Sequence, residues 1–164
     1  MAQKAFAKWQ VTGMQALKSA CDQGIDSAKR AEEKATNPEL KQLATRLTAL
    51  LTTHGAILAG YITDGGGKVD AFHDEIMDGV NRGTKLMLEA ADDEQITDIS
   101  LLSGSTVALN YFVVSFQNNA ATSQALHLAG QPATFRRMAQ EQQALCDEFQ
   151  QLGETTIYPQ AAQA

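Results

Sequence analysis

His54, Cys21, Cys146 and the carboxylates Glu33, Glu141 and Asp147 are the side chains whose types and positions could do chemistry here. A carboxylate-bridged di-metal centre needs glutamates projecting inward from facing helices, with a Glu-x-x-His pair on two of them. Residues three apart share a helix face and can clamp one ion, which is why that spacing matters. No Glu-x-x-His occurs in this chain, and the residue three before His54 is Leu51. A lone histidine on an apolar seam is more often a hydrogen-bonded core residue than a ligand. His73-Asp74-Glu75 is dense in polar groups, but consecutive residues diverge around a helix and read as a solvated helix start. Gly65-Gly66-Gly67-Lys68 lacks the Gly-x-x-x-x-Gly-Lys-Ser/Thr spacing of a phosphate loop and reads as a helix-ending turn. Neither cysteine sits in a CxxC or CxxxC spacing, so a zinc site built on cysteine is not expected. If the helices carrying Cys21 and Cys146 are antiparallel neighbours, the two sulfurs fall at similar height and form a redox pair. Otherwise they are two reduced core thiols.

The elements that must position these groups are helices throughout. Apolar residues recur at spacings of three and four, and strand-like alternation is absent. The periodicity predicts a short helical segment over 4–10, then a longer helix over 14–35 with Met14, Leu17, Cys21, Ile25, Ala28 and Ala31 on one seam. Asn37-Pro38 ends it and opens a helix over 38–62 whose seam includes His54. A third helix over 69–91 carries a weaker seam of Phe72, Ile76, Val80, Leu86 and Leu88, interrupted by Gly79 and Gly83. Asp92-Asp93-Glu94 starts a fourth over 94–129, since acids favour the helix N-terminus. No charged residue occurs from Ile99 to Phe135, and the apolar residues surround that helix axis. A helix apolar all round is buried on several sides, by its own chain or by a second copy. Leu109, Phe112, Val113 and Phe116 are the candidate self-association residues on it. The last helix, over 132–152, places Phe135, Met138, Gln142, Leu145, Phe149 and Leu152 on its seam. Gln142 and Asn110 look like buried polar groups needing partners. The expected organisation is one domain over 1–164, with its core in 14–152 and a loosely ordered tail over 153–164.

A formal charge of −6 and a pI near 5.0 argue against binding polyanions, and the nearest candidate for a basic footprint, Arg136-Arg137, is only a pair. No nucleic-acid partner is expected. The apolar stretch Leu101–Phe116 is too short and too polar for a membrane span, so no membrane partner is expected either. Residues 1–10 are polar and mixed, unlike a signal peptide, and a cytoplasmic location is expected.

Asp22-Gln23-Gly24, Ala31-Glu32-Glu33, Asn37-Pro38-Glu39-Leu40-Lys41 and the stretch from Ala139 to Glu148 carry a family resemblance. The chain resembles bacterial ferritin-like bundle proteins of the YciE/YciF stress-induced type. The resemblance spans 14–152. It implies an all-α fold: a ferritin-like antiparallel four-helix bundle with an additional crossover helix. It also implies a metal centre, to which Glu32 or Glu33, Glu141 and Asp147 would contribute. Thr45 and Leu47 on the second helix, and Ala108 and Tyr111 on the fourth, stand where the family has ligands. The reading that follows is a bundle without a complete di-metal centre and without a cofactor. It would act by self-association as a homodimer or by binding a protein partner, in a stress-related role. An alternative is an iron- or manganese-binding oxidoreductase with nonstandard ligands drawn from Glu33, His54, Glu141 and Asp147. A third is a small inhibitor or immunity-type module whose acidic patches meet a basic partner.

Overall fold

The computed structural model describes residues 2–163, and among them every regular element is helical. The helices are α1 (Ala2–Lys34), α2 (Pro38–Asp64), α3 (Glu75–Glu89), α4 (Glu94–Ala125) and α5 (Gln131–Leu152). A π-helical turn, Gly153–Ile157, carries α5 into a last short helix, α6 (Tyr158–Ala161).

Side chains at the helix starts define most of these boundaries. Asn37 Oδ1 accepts from the amides of Glu39 at 2.9 Å and Leu40 at 3.1 Å, capping α2. Asp93 Oδ1 accepts from Ile96 N at 2.8 Å and caps α4. Asp74 does the same for α3 through Met77 N at 2.7 Å. Such caps satisfy amides that a helix start otherwise leaves unpaired. The Asp74 cap makes α3 begin at Glu75 rather than near Val69, as periodicity alone predicts. α4 stops at Ala125 instead of running to Ala129, and His127 takes a positive φ of 55° just beyond it. Gly130, at φ 78°, supplies the left-handed turn before Pro132 opens α5.

Four long helices stand in a ring, α1–α2–α5–α4, with α1/α5 and α2/α4 on the diagonals. Ring neighbours run antiparallel. Gln10 meets Asn119 at one end of the α1/α4 pair, and Thr36 meets Asp98 at the other. Arg46 pairs with Glu148, and His54 with Glu141, along α2/α5. α2 and α4 are therefore parallel, and the chain between them must return along the whole assembly. Residues 65–93 supply that return, about 22 Å of it as α3, packed on α4 and α1.

The centre is aromatic. Phe112, Phe116, Phe135 and Phe149 are fully buried, and Phe116 stacks between Phe112 and Phe135 with centroids 6.1 and 6.3 Å away. Each buried ring contributes roughly 2–3 kcal/mol of transfer free energy.

Three expectations about local structure are corrected. α1 is continuous through Gly13, because Gln10, Met14 and Leu17 are all buried by packing that outweighs one glycine's helix cost. The inner face of α3 is Met77, Val80 and Leu88, while Phe72, Ile76 and Leu86 are exposed. The tail after Gly153 is helical, with Gly153 and Ile157 buried against α4 and α5.

Candidate functional site

α2 brings one titratable group wholly into the interior. His54 is flanked at helical spacing by the buried Leu51 and Leu58, so the same face that makes the core carries the imidazole inward. Its ring lies edge-on to Phe116, with centroids 5.3 Å apart. Its partners come from consecutive residues of α5. Glu141, at the rim, sets Oε2 2.7 Å from Nε2. Gln142, fully buried, sets Nε2 3.1 Å from Nδ1. Adjacent helical residues point about 100° apart, so one reaches the imidazole from outside and the other from within.

The hydrogen bonds define a tautomer. Gln142 Nε2–H donates to Nδ1, so the proton sits on Nε2 and donates to Glu141. Burial holds the His54 pKa below its ordinary 6.5, against the pull of Glu141, with Arg137 adding to the depression. The imidazole is neutral at pH 7, and both its nitrogens are engaged. Gln142 Oε1 has no partner in the interior. An orphaned buried acceptor of this kind costs about 1–3 kcal/mol.

A pH dependence follows. His54 in the unfolded chain takes up a proton below about pH 6.5, while the folded imidazole resists it. Stability from this group is therefore full above about pH 6.5 and declines as pH falls toward the depressed folded pKa. Chemical denaturation of His54→Gln between pH 7 and pH 5 should show a flatter slope than the parent. An identical slope would remove His54 from the account.

The other expected residues do not converge on His54. Glu33 is exposed on α1, and Asp147 is exposed and accepts from Gln143 Nε2 at 2.7 Å. Of the four candidate ligands, only His54 and Glu141 meet. Thr45 is exposed, and the interior beside His54 is closed by Phe116, which stacks on Phe112 and Phe135. Cys21 and Cys146 lie on diagonal helices. Cys21 packs near Gly55 of α2, and Cys146 Sγ accepts from Asn110 Nδ2 at 3.3 Å. Both are free buried thiols whose pKa burial pushes up, so neither is poised as a thiolate. Leu109, Phe112, Val113 and Phe116 face the chain's own core and are closed to a second subunit. Asn110 is exposed rather than buried. In the polar run before α3, Asp74 turns inward to cap the helix and accepts from Tyr111 OH at 2.5 Å. His73, Glu75 and Asp78 gather on the surface with ligand atoms within 4.8 Å of one another. Asp78 is also paired with Arg82 at 3.0 Å.

Two polar networks escaped the sequence reading. Gln10 Nε2 donates to Asn119 Oδ1 at 3.2 Å and Ser123 Oγ at 2.9 Å, and Thr122 donates to Gln10 Oε1. Asp98 accepts from Thr36 and Asn37 where α1 turns into α2. The sequence signal for the first network was the presence of Asn119 and Ser123 on the charge-free stretch of α4 after Asp98.

The model of a family described as a domain of unknown function, DUF892, matches residues 5–162. The chain belongs to the DUF892 family. The DUF892 match runs from the first turns of α1 through α6, so it includes the helical tail. No curated protein matches the sequence. Among solved structures, the DUF892 chain is similar to YcfI from Rhodopseudomonas palustris, which carries a provisional description as a structural protein. The two are 15% identical with a TM-score of 0.83, over 88% of this chain and 92% of that one. At that identity the likeness shows a shared fold.

Proposed function

We propose that this protein is a ferritin-like bundle without a working di-metal centre that acts structurally, by associating with a second copy of itself. The observation that carries the first half is the donor set at the bundle centre. A di-iron or di-manganese carboxylate site needs several inward carboxylates. Here the side chains set against His54 are Phe116, Gln142 and the rim residue Glu141, the one carboxylate among them, and the imidazole has both nitrogens engaged. These residues do not fit such a centre. The ferritin-like assignment is supported by the single long crossover between parallel α2 and α4, the connection that ferritin-like bundles use. The provisional structural description of YcfI agrees with a non-catalytic role. A stress-related setting, implied by the YciE/YciF resemblance, belongs to the same proposal.

The surface for association is the outer stripe of α4. Val107 and Val114 are 54% and 56% exposed, with the exposed Asn110, Gln117 and Ala121 in step with them. That face holds no charge, so two chains of charge −6 approach there with least repulsion. The stripe is narrow, so the dimer forms at micromolar rather than nanomolar concentration. Sedimentation velocity should show a concentration-dependent dimer, and Val107→Glu with Val114→Glu should leave a folded monomer. A parent chain monomeric at about 100 µM, a hundredfold above a micromolar Kd, overturns the association. Stoichiometric iron or manganese, retained through dialysis, overturns the metal-free centre.

A further inference from the structure

We propose that the cleft between α1 and α3 binds a small amphipathic anion, a carboxylate carried on a short aliphatic body. This site is separate from the His54 cluster and from the outer stripe of α4. The cleft has a volume of about 430 Å³, within the size range of small-molecule sites. Its rim holds Arg30 and Lys34 from α1 and Arg82 and Lys85 from α3, against one acid, Glu89. The chain as a whole has 19 acids and 13 bases, so this rim reverses the sign of the protein.

Two of the four cations are engaged: Arg82 with Asp78 at 3.0 Å and Lys85 with Glu89 at 3.7 Å. Arg30 and Lys34 form no ion pair among the described residues. Arg30 is nonetheless held in place. Its Nη2 donates to Ser27 Oγ at 2.8 Å, and Ser27 Oγ donates to Asn81 Oδ1 at 2.7 Å across the cleft. A positioned guanidinium presents a planar fork that matches a carboxylate.

The floor is apolar, formed by Leu88 and Leu101. Behind Ser27, Asn81 and Thr84, which line both spaces, an inner cavity of about 30 Å³ reaches Leu47, Leu51 and Phe112. Cations at the mouth, a hydrogen-bonded pair midway and aliphatic and aromatic walls beneath follow the polarity of a molecule with one charged end.

The test is titration of the full chain with sodium octanoate, followed by calorimetry and by amide shifts of Ser27, Asn81 and Thr84. Octanamide and acetate serve as controls that lack, in turn, the charge and the tail. Saturable octanoate binding is expected, with shifts at those three amides. Affinity should fall about tenfold or more for octanamide and for Arg30→Glu with Lys34→Glu, both exposed positions away from the core. Lys34→Glu alone leaves the Arg30–Ser27 contact intact and should weaken binding in the same direction. Non-saturable binding, equal affinity for octanamide, or unchanged affinity in the charge-reversed variant overturns the proposal.

Discussion

Phe116→Ala will lower the unfolding free energy by about 3–5 kcal/mol, the cost of deleting a fully buried aromatic ring from a packed core. The ring touches three partners at once: Phe112 and Phe135 by stacking, and His54 by its edge. Truncation leaves a cavity bordered by an imidazole that needs its packing to stay oriented. Helices on opposite sides of the ring cannot collapse into that space without losing the His54–Glu141 and His54–Gln142 contacts. Urea denaturation at pH 7 measures the loss, and the midpoint should shift with little change in slope. A loss below about 1 kcal/mol would mean that the site relaxes or that the ring is not central. Phe116→Glu is a harsher change: it buries a carboxylate among aromatic rings, beside an imidazole whose own protonation burial opposes, and should prevent folding outright. That outcome separates a core residue from an interface residue, because a side chain lying between two subunits would leave a folded monomer.

Asp98→Ala should cost about 2–4 kcal/mol, a large effect for a group near the end of the assembly. Asp98 is nearly buried and accepts three hydrogen bonds, from Thr36 N at 2.8 Å, Thr36 Oγ1 at 2.7 Å and Asn37 N at 2.9 Å. It therefore ties the turn between α1 and α2 to the first turns of α4. Alanine removes the acceptor from two backbone amides where α1 has ended and α2 has not begun. Asp98→Asn keeps one carbonyl acceptor and should recover about half of the loss. Hydrogen exchange at Thr36 and Asn37 gives the local readout. Unchanged protection in Asp98→Ala would show that the turn holds itself.

The sequence was most legible where one helix face repeats. The seam of α5 emerges buried at its predicted positions, from Phe135 through Leu152, and α2 carries His54 inward on its own seam, because those runs are long and their polar faces are clearly marked. α3 was misread because its two glycines and its exposed Ile76 and Leu86 blur the period. Its phase is set instead by the Asp74 cap and by packing of its Thr84 face on Gly104 of α4. α4 was read as apolar all round, and that reading could not choose which side met the protein's own core. The fold turns Leu109, Phe112 and Phe116 inward and leaves Val107 and Val114 outside.

The candidate site shows the same division. Helical periodicity alone put His54 on a core seam and Gln142 on another. Which carboxylate meets the imidazole depended on how α2 and α5 pack, and periodicity carries no information about that. Glu141 and Glu33 are both charges bordering a seam, yet only Glu141 lies on a helix adjacent to α2 at the height of His54. The cysteines diverge for a related reason: α1 and α5 occupy a diagonal, since α3 carries the chain across before α4 begins. Where a helix carries one clear apolar stripe, as α2 and α5 do, local pattern determines which residues face inward, because burial favours each such stripe independently. Tertiary structure decides which inward residues become neighbours, because ring order and crossover direction are properties of the whole chain.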